Sequence, residues 1–176
     1  MRLLRFVIIT LVLAALVHVA TIWALPRILM AVATTGMQVT GIEFNQFTHA
    51  ERQGAESRFV VRPSPDMLYS MCLYDLSTGP LRISTGDMPD SYWSISGFAA
   101  NTDVYFVIND TMMGSDPVDF LVGHEDRPSV EADYYSPSMR GMIIMRMIVT
   151  SDDVVPTLSA YRDNVVCGPA ASGSGG

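Results

Sequence analysis

At 176 residues, with 18 acidic against 11 basic side chains and a formal net charge of −7, the chain has room for an apolar N-terminal segment and one domain of about 130 residues. Every basic residue is Arg, and the acidic balance offers no positive surface of the kind nucleic acid requires, which removes that class of partner.

Residues 6–25, bounded by Phe6 and Leu25, hold 17 apolar side chains out of 20, interrupted by Thr10, His18 and Thr21. As a helix this length covers ~30 Å, the thickness of a bilayer's hydrocarbon core. A membrane anchor is therefore expected over residues 1–30. Arg2 and Arg5 precede it and Arg27 follows, an excess that places the N-terminus in the cytoplasm and the remaining chain outside it. Trp23 sits where an indole occupies the interface, and Pro26 is expected to end or kink the helix. The rival reading is a cleaved signal peptide, because Ala31-Val32-Ala33 has the small-x-small pattern, although the apolar stretch is longer than the ~7–15 residues of a signal core. Either reading exports the domain. His18 has no partner carboxylate in a lone span, so it reads as a tolerated polar residue or a helix contact.

Residues 31–57 read as a neck, with a helical extension along the membrane surface from Ile28 to about Thr35, released at Gly36. "NQFTHAERQ" then forms a connector or short helix. From 58 to 169 the character changes to a β-domain. "MLYSMCLYDL", "LRIS", "YWSIS", "VYFVIN" and "GMIIMRMIV" are short aromatic and β-branched runs separated by turn compositions such as "STGP" and "AANTD". Strands at this spacing predict a mainly β fold, an antiparallel sandwich or barrel-like domain. "SDDVVPTLSAYRDNVV" predicts a short closing helix capped by Ser151, its course limited by Pro156. Residues 170–176 read as a flexible Gly/Ser tail.

Cys72 and Cys167 are the two cysteines. In an exported domain an even pair reads first as a disulfide, and a nucleophilic Cys72 would need a neighbouring base.

The run "RPSPDMLYSMCLYDLSTGPLRISTGDMPDSYWSISGFAANTDVYFVIND" resembles the bacterial family called domain of unknown function 1254. The resemblance rests on Pro65, Asp66, Leu68, Tyr69 and Ser70; on residues 75–80; on Tyr92, Trp93 and Ser94; and on Asn101, Thr102 and Asp103. "SPSMRGMIIMRMIV" and "CGP" look like its small membrane-anchored members. It implies a β-rich domain. It also implies, by analogy with larger relatives, a companion domain of unknown function 1214, expected here in a separate integral membrane protein.

No G-x-S-x-G elbow, P-loop or dinucleotide fingerprint is present, and no cofactor is implied. His124 with Glu125 and Asp126 reads as a solvated loop, so no metal site is expected. Asp66 and Tyr69 are the candidate acid/base pair, flanked by Asn101, Thr102 and Asp103, while Tyr92 and Trp93, with Asn101 and Thr102, are candidates for contact with a sugar or lipid. The competing reading makes all of them turn formers and core aromatics. The expected function is a membrane-anchored interaction module, an accessory subunit of an envelope complex in the bacterial inner membrane with its domain in the periplasm. The alternative is a periplasmic enzyme or small-ligand binder. A homo-oligomer is compatible with either.

Overall fold

The computed structural model describes residues 2–54, 63–127 and 131–170. Residues 58–62, where the β-domain was expected to begin, and the Gly/Ser tail beyond Ala170 lie outside the described residues.

The chain opens with one helix, α1 (Arg2–Val39), which continues through both Pro26 and Gly36. The expected end at Pro26 is thus corrected: the missing amide removes one rung, that to the Ile22 carbonyl, from a helix of 38 residues. In the turns around it the Arg27 guanidinium bonds to the Trp23 carbonyl and the Thr21 hydroxyl to that of Val17. The side chains of the apolar stretch are exposed, with no buried residue before Met30. Nor does the helical extension lie free as a neck. Met30 and Met37 are buried on the domain, packed with Leu73 and Met142 and flanked by Phe44, Met71, Phe98 and Ile144.

Among the described residues the domain has nine strands in two open sheets. Strands β1 (Phe47–His49), β2 (Met67–Asp75), β8 (Arg140–Ile148), β4 (Trp93–Ala99) and β5 (Val104–Asn109) form the first sheet in that spatial order, antiparallel throughout. The second has the order β7 (Tyr134–Ser136), β6 (Asp119–His124), β3 (Leu81–Ser84) and β9 (Val166–Pro169), with β6 and β7 parallel. Neither sheet closes on itself, so the barrel-like alternative gives way to two layers. A single turn of helix, α2 (Asp110–Met113), follows β5. A 3-10 turn (Asp152–Val154) leads into α3 (Val155–Arg162). Pro156 falls in the first turn of α3, where a missing amide costs nothing.

Strand alternation sorts the side chains. Leu68, Cys72 and Tyr74 of β2, with Ile143, Met145 and Met147 of β8 and Trp93 and Ile95 of β4, join Ile83, Phe120 and Val122 of the second sheet in one core. Phe106 stacks on Tyr134 at 4.7 Å and meets the edge of Phe120 at 5.2 Å. Gly97 makes room for this cluster, because a Cβ there would stand 2.3 Å from the Phe106 ring. The opposite face of β2 and β8 presents Met71, Leu73, Met142 and Ile144, and this is the face that α1 covers.

A disulfide joins Cys72 of the first sheet to Cys167 of the second, with Cα atoms 6.5 Å apart. It ties β9, an edge strand, to the centre of the domain.

Candidate functional site

The sheet order decides which of the sequence candidates meet. Strand β8 lies between β2 and β4, so β2 and β4 run in the same direction. Tyr69 aligns with Arg146 and through it with Ser94, at the start of both strands. Asn101, Thr102 and Asp103 follow the end of β4 at Ala99, itself ~17 Å along the strand from Ser94. The Asp66/Tyr69 and Asn101/Asp103 groups are therefore at opposite ends of the sheet, and no site combines them.

Each group has a local task. Asp66 is exposed; its amide donates to the Ser64 hydroxyl at 3.3 Å and its carbonyl accepts from Val149 at 2.8 Å. The Tyr69 hydroxyl accepts the Ser64 amide at 3.1 Å, closing the Pro-rich turn. Asn101 bonds the Asp103 carboxylate within the β4–β5 turn, where Thr102 takes a φ of 71°. Tyr92 is partly exposed, its hydroxyl donating to Ser94 at 3.2 Å. Trp93 is 0% exposed, and its indole N–H donates to the Gly114 carbonyl at 2.9 Å, so no ring face is open to a sugar or lipid. The cavity beside this end of the sheet, about 370 Å³, is lined by Asp90, Ser91, Ile148, Asp153 and Tyr161, among others; Asp66 and Tyr69 lie outside it. His124 is buried, with Nδ1 accepting the Asp126 amide at 3.1 Å, while Glu125 and Asp126 are exposed. No cluster of three or more metal-ligating side chains occurs among the described residues.

The structure brings together a polar group that the sequence did not announce. His49 of β1 lies opposite Ser70 of β2, and Nδ1 and the Ser70 hydroxyl are 2.8 Å apart. Arg162 at the end of α3 reaches the same place, donating to the carbonyls of Ala50 at 2.8 Å and Tyr69 at 3.2 Å. Serine hydrogen-bonded to histidine is the first requirement of an activated nucleophile. Ser70, however, is fully buried, and the His49 ring lies flat beside Phe47, so the pair closes the end of the core. No spacing rule links His49 to Ser70 or Arg162; only strand pairing does.

Burial, followed by the charge of Arg162, holds the His49 imidazole below its ordinary value of 6.5, against the upward pull of Asp163. The folded domain thus favours neutral His49. Because the unfolded chain takes up the proton first as pH falls, this contribution is fully present above about pH 6.5 and is lost as pH drops through the folded value. Thermal midpoints are expected to fall between pH 7.5 and pH 5, and the fall should shrink in His49→Gln. An equal fall in the variant would assign the effect elsewhere. Asp75 does not interfere. Burial raises its carboxyl, but hydrogen bonds from Ser77 and Arg140 outweigh that and hold it below 3.8, so its contribution fades only in stronger acid.

A second cavity, also about 370 Å³, lies between α1 and the other end of the first sheet. Arg27, Met30, Thr34 and Gln38 of the helix face Phe44 and Arg140 across it. The Arg140 Nε donates to the Asp75 carboxylate at 2.7 Å while its guanidinium lies 5.2 Å over the Phe44 ring. The Arg27 guanidinium lies 4.4 Å over Trp23. Sequence analysis missed this site because its two arginines are far apart in the chain.

Among solved structures, the VPA0106 protein from Vibrio parahaemolyticus is similar at 15% identity with a TM-score of 0.64, over 86% of this chain and 37% of that one. An uncharacterised protein from Burkholderia cenocepacia has 15% identity and a TM-score of 0.46, over 62% of this chain and 33% of that one. The chain thus spans about a third of the length of these structures, and the first of them shares its fold. No curated protein matches the sequence. The family model described as "Protein of unknown function (DUF1254)" matches residues 44–169, a stretch that takes in both sheets, the disulfide and the Pro-rich turn, and the chain belongs to that family.

Proposed function

We propose that the chain is a membrane-anchored module of the bacterial cell envelope, single-pass with its N-terminus in the cytoplasm and its two-sheet domain in the periplasm. There it acts as an accessory subunit by holding an integral membrane-protein partner. The observation that carries this reading is the continuity of α1: a largely exposed apolar stretch through Leu25 passes within one unbroken helix into Met30 and Met37, buried on the sheet. A removable leader has no reason to contribute to the packing of the mature domain. The disulfide favours an oxidising compartment for the same domain.

A surface for the partner is offered by β5, the edge of the first sheet opposite β1. Val104 and Val107 are 50% and 44% exposed there, and Met112 and Met113 of α2 continue the apolar stretch. Unpaired edge strands with apolar side chains accept another strand unless charge prevents it. The partner that the family resemblance suggests is a membrane protein carrying the companion β-domain. Val107→Lys, at an exposed site, is expected to leave the unfolding free energy within about 1 kcal/mol of wild type while abolishing co-purification of the partner from native membranes. Retention of the same partner by the variant would remove β5 from the proposal. A reporter fluorescent only in the cytoplasm, fused to the C-terminus, should stay dark; a bright fusion would reverse the topology.

The second reading, an enzyme or small-ligand binder beside Asp66 and Tyr69, is favoured by one observation, the Ser70–His49 hydrogen bond. Ser70→Ala separates the two. Loss of the cellular phenotype at unchanged stability would put chemistry first.

A further inference from the structure

We infer that the cavity between α1 and the Arg140 end of the first sheet seats the phosphate of an anionic phospholipid headgroup. The inference rests on the membrane reading and adds a ligand to it. Position comes first. If residues 6–25 fill the hydrocarbon core, the headgroup layer occupies the next ~5–8 Å. At 1.5 Å per residue Arg27 lies ~3 Å beyond Leu25 and Ala31 ~9 Å beyond it, so the lower wall of the cavity stands at headgroup depth.

The lining supplies the chemistry. Two guanidinium groups from opposite ends of an acidic chain converge on one cavity. Each carries five N–H donors in a planar fork suited to phosphate oxygens. The bond from Arg27 to the Trp23 carbonyl and that from Arg140 to Asp75 occupy one donor nitrogen in each. Those bonds, with the ring faces of Trp23 and Phe44 beneath, fix both side chains in place before any ligand arrives. Thr34, Thr35 and Gln38 offer polar contacts higher up, and Met30 and Ala31 give an apolar wall beside which a glycerol backbone can lie. Asp75 sits behind Arg140 and positions it, at the cost of part of its charge. A volume of about 370 Å³ lies in the range of small-molecule sites and suits a headgroup.

The test uses the full chain purified in detergent. Native mass spectrometry after adding phosphatidylglycerol or phosphatidylcholine reads lipid retention, and flotation with vesicles of the same lipids reads membrane association. Wild type is expected to float with both and to retain phosphatidylglycerol in preference. Arg27→Gln and Arg140→Gln should each lower that retention about fivefold without affecting flotation. Arg140→Gln also removes the Asp75 ion pair, so Arg27→Gln, on the exposed helix, is the variant that decides. Equal retention of the two lipids, or undiminished retention in Arg27→Gln, overturns the site while leaving the anchor intact. Displacement of the lipid by excess inorganic phosphate would assign the site to a free anion and overturn the lipid proposal. Failure of wild type to float overturns the membrane reading itself, and the site with it.

Discussion

Replacing Cys72 and Cys167 together by serine is expected to destabilise the domain by up to about 4–5 kcal/mol, the loop-closure entropy released when a cross-link over 95 residues is removed. That is a large share of the 5–15 kcal/mol typical of a whole domain. The site of the cross-link directs the loss. β9 is held to the second sheet through β3 alone, at one open edge, and the disulfide adds a side-chain cross-link from it to the other layer. Urea unfolding of wild type with and without reductant, compared with the double serine variant, reads the effect. Reduction should shift the wild-type midpoint to that of the variant. A midpoint unmoved by reduction would show that the edge strand holds without its staple.

Trp93→Ala is the second large effect, about 3–5 kcal/mol from the lost contacts and the cavity left behind. The indole is the largest fully buried side chain and anchors the turn after α2 through the Gly114 carbonyl. Trp93→Phe keeps much of the apolar volume and should cost less. The same pair of variants separates the two roles the sequence allowed this residue. A platform for sugar or lipid predicts intact stability and lost binding in Trp93→Ala, whereas a core residue predicts loss of stability with binding following the folded fraction. Urea midpoints of the two variants, set beside cellular abundance, distinguish these outcomes.

The strands that sequence reasoning found are those whose own composition carries them. β2, β3, β4, β5 and β8 are dense in aromatic and aliphatic side chains and bounded by Gly, Pro, Asp or Asn. β1 and β7 have three residues each, too few for a period of two to show, and exist because a longer neighbour supplies their hydrogen bonds, while β9, with Gly168 and Pro169 in its four residues, lacks the composition of a strand and is held by pairing with β3. β6 was hidden by its polar end, "GHEDRP", which drew the reading toward a loop. The disulfide was legible from composition, since two cysteines allow one pairing. The candidate sites were not, because neighbours along the chain do not give neighbours across a sheet. Placing β8 between β2 and β4 parts Asp66 from Asn101 and aligns Tyr69 with Arg146. His49, Ser70 and Arg162 meet for the same reason. The apolar stretch revealed a long helix but not where it ends, because Pro26 removes a single rung and α1 runs on through it.

The docking of Met30 and Met37 on the sheet makes the apolar stretch and the domain a single geared body. With 3.6 residues per turn, inserting one residue between Trp23 and Met30 rotates the two sheets about 100° around the axis of α1 and lifts them ~1.5 Å. Seven residues inserted at the same place bring the phase back to within about 20° while adding ~10 Å of height. Whatever lies beside the helix therefore meets a set azimuth of the domain, and the pitch of α1 selects which strands face it.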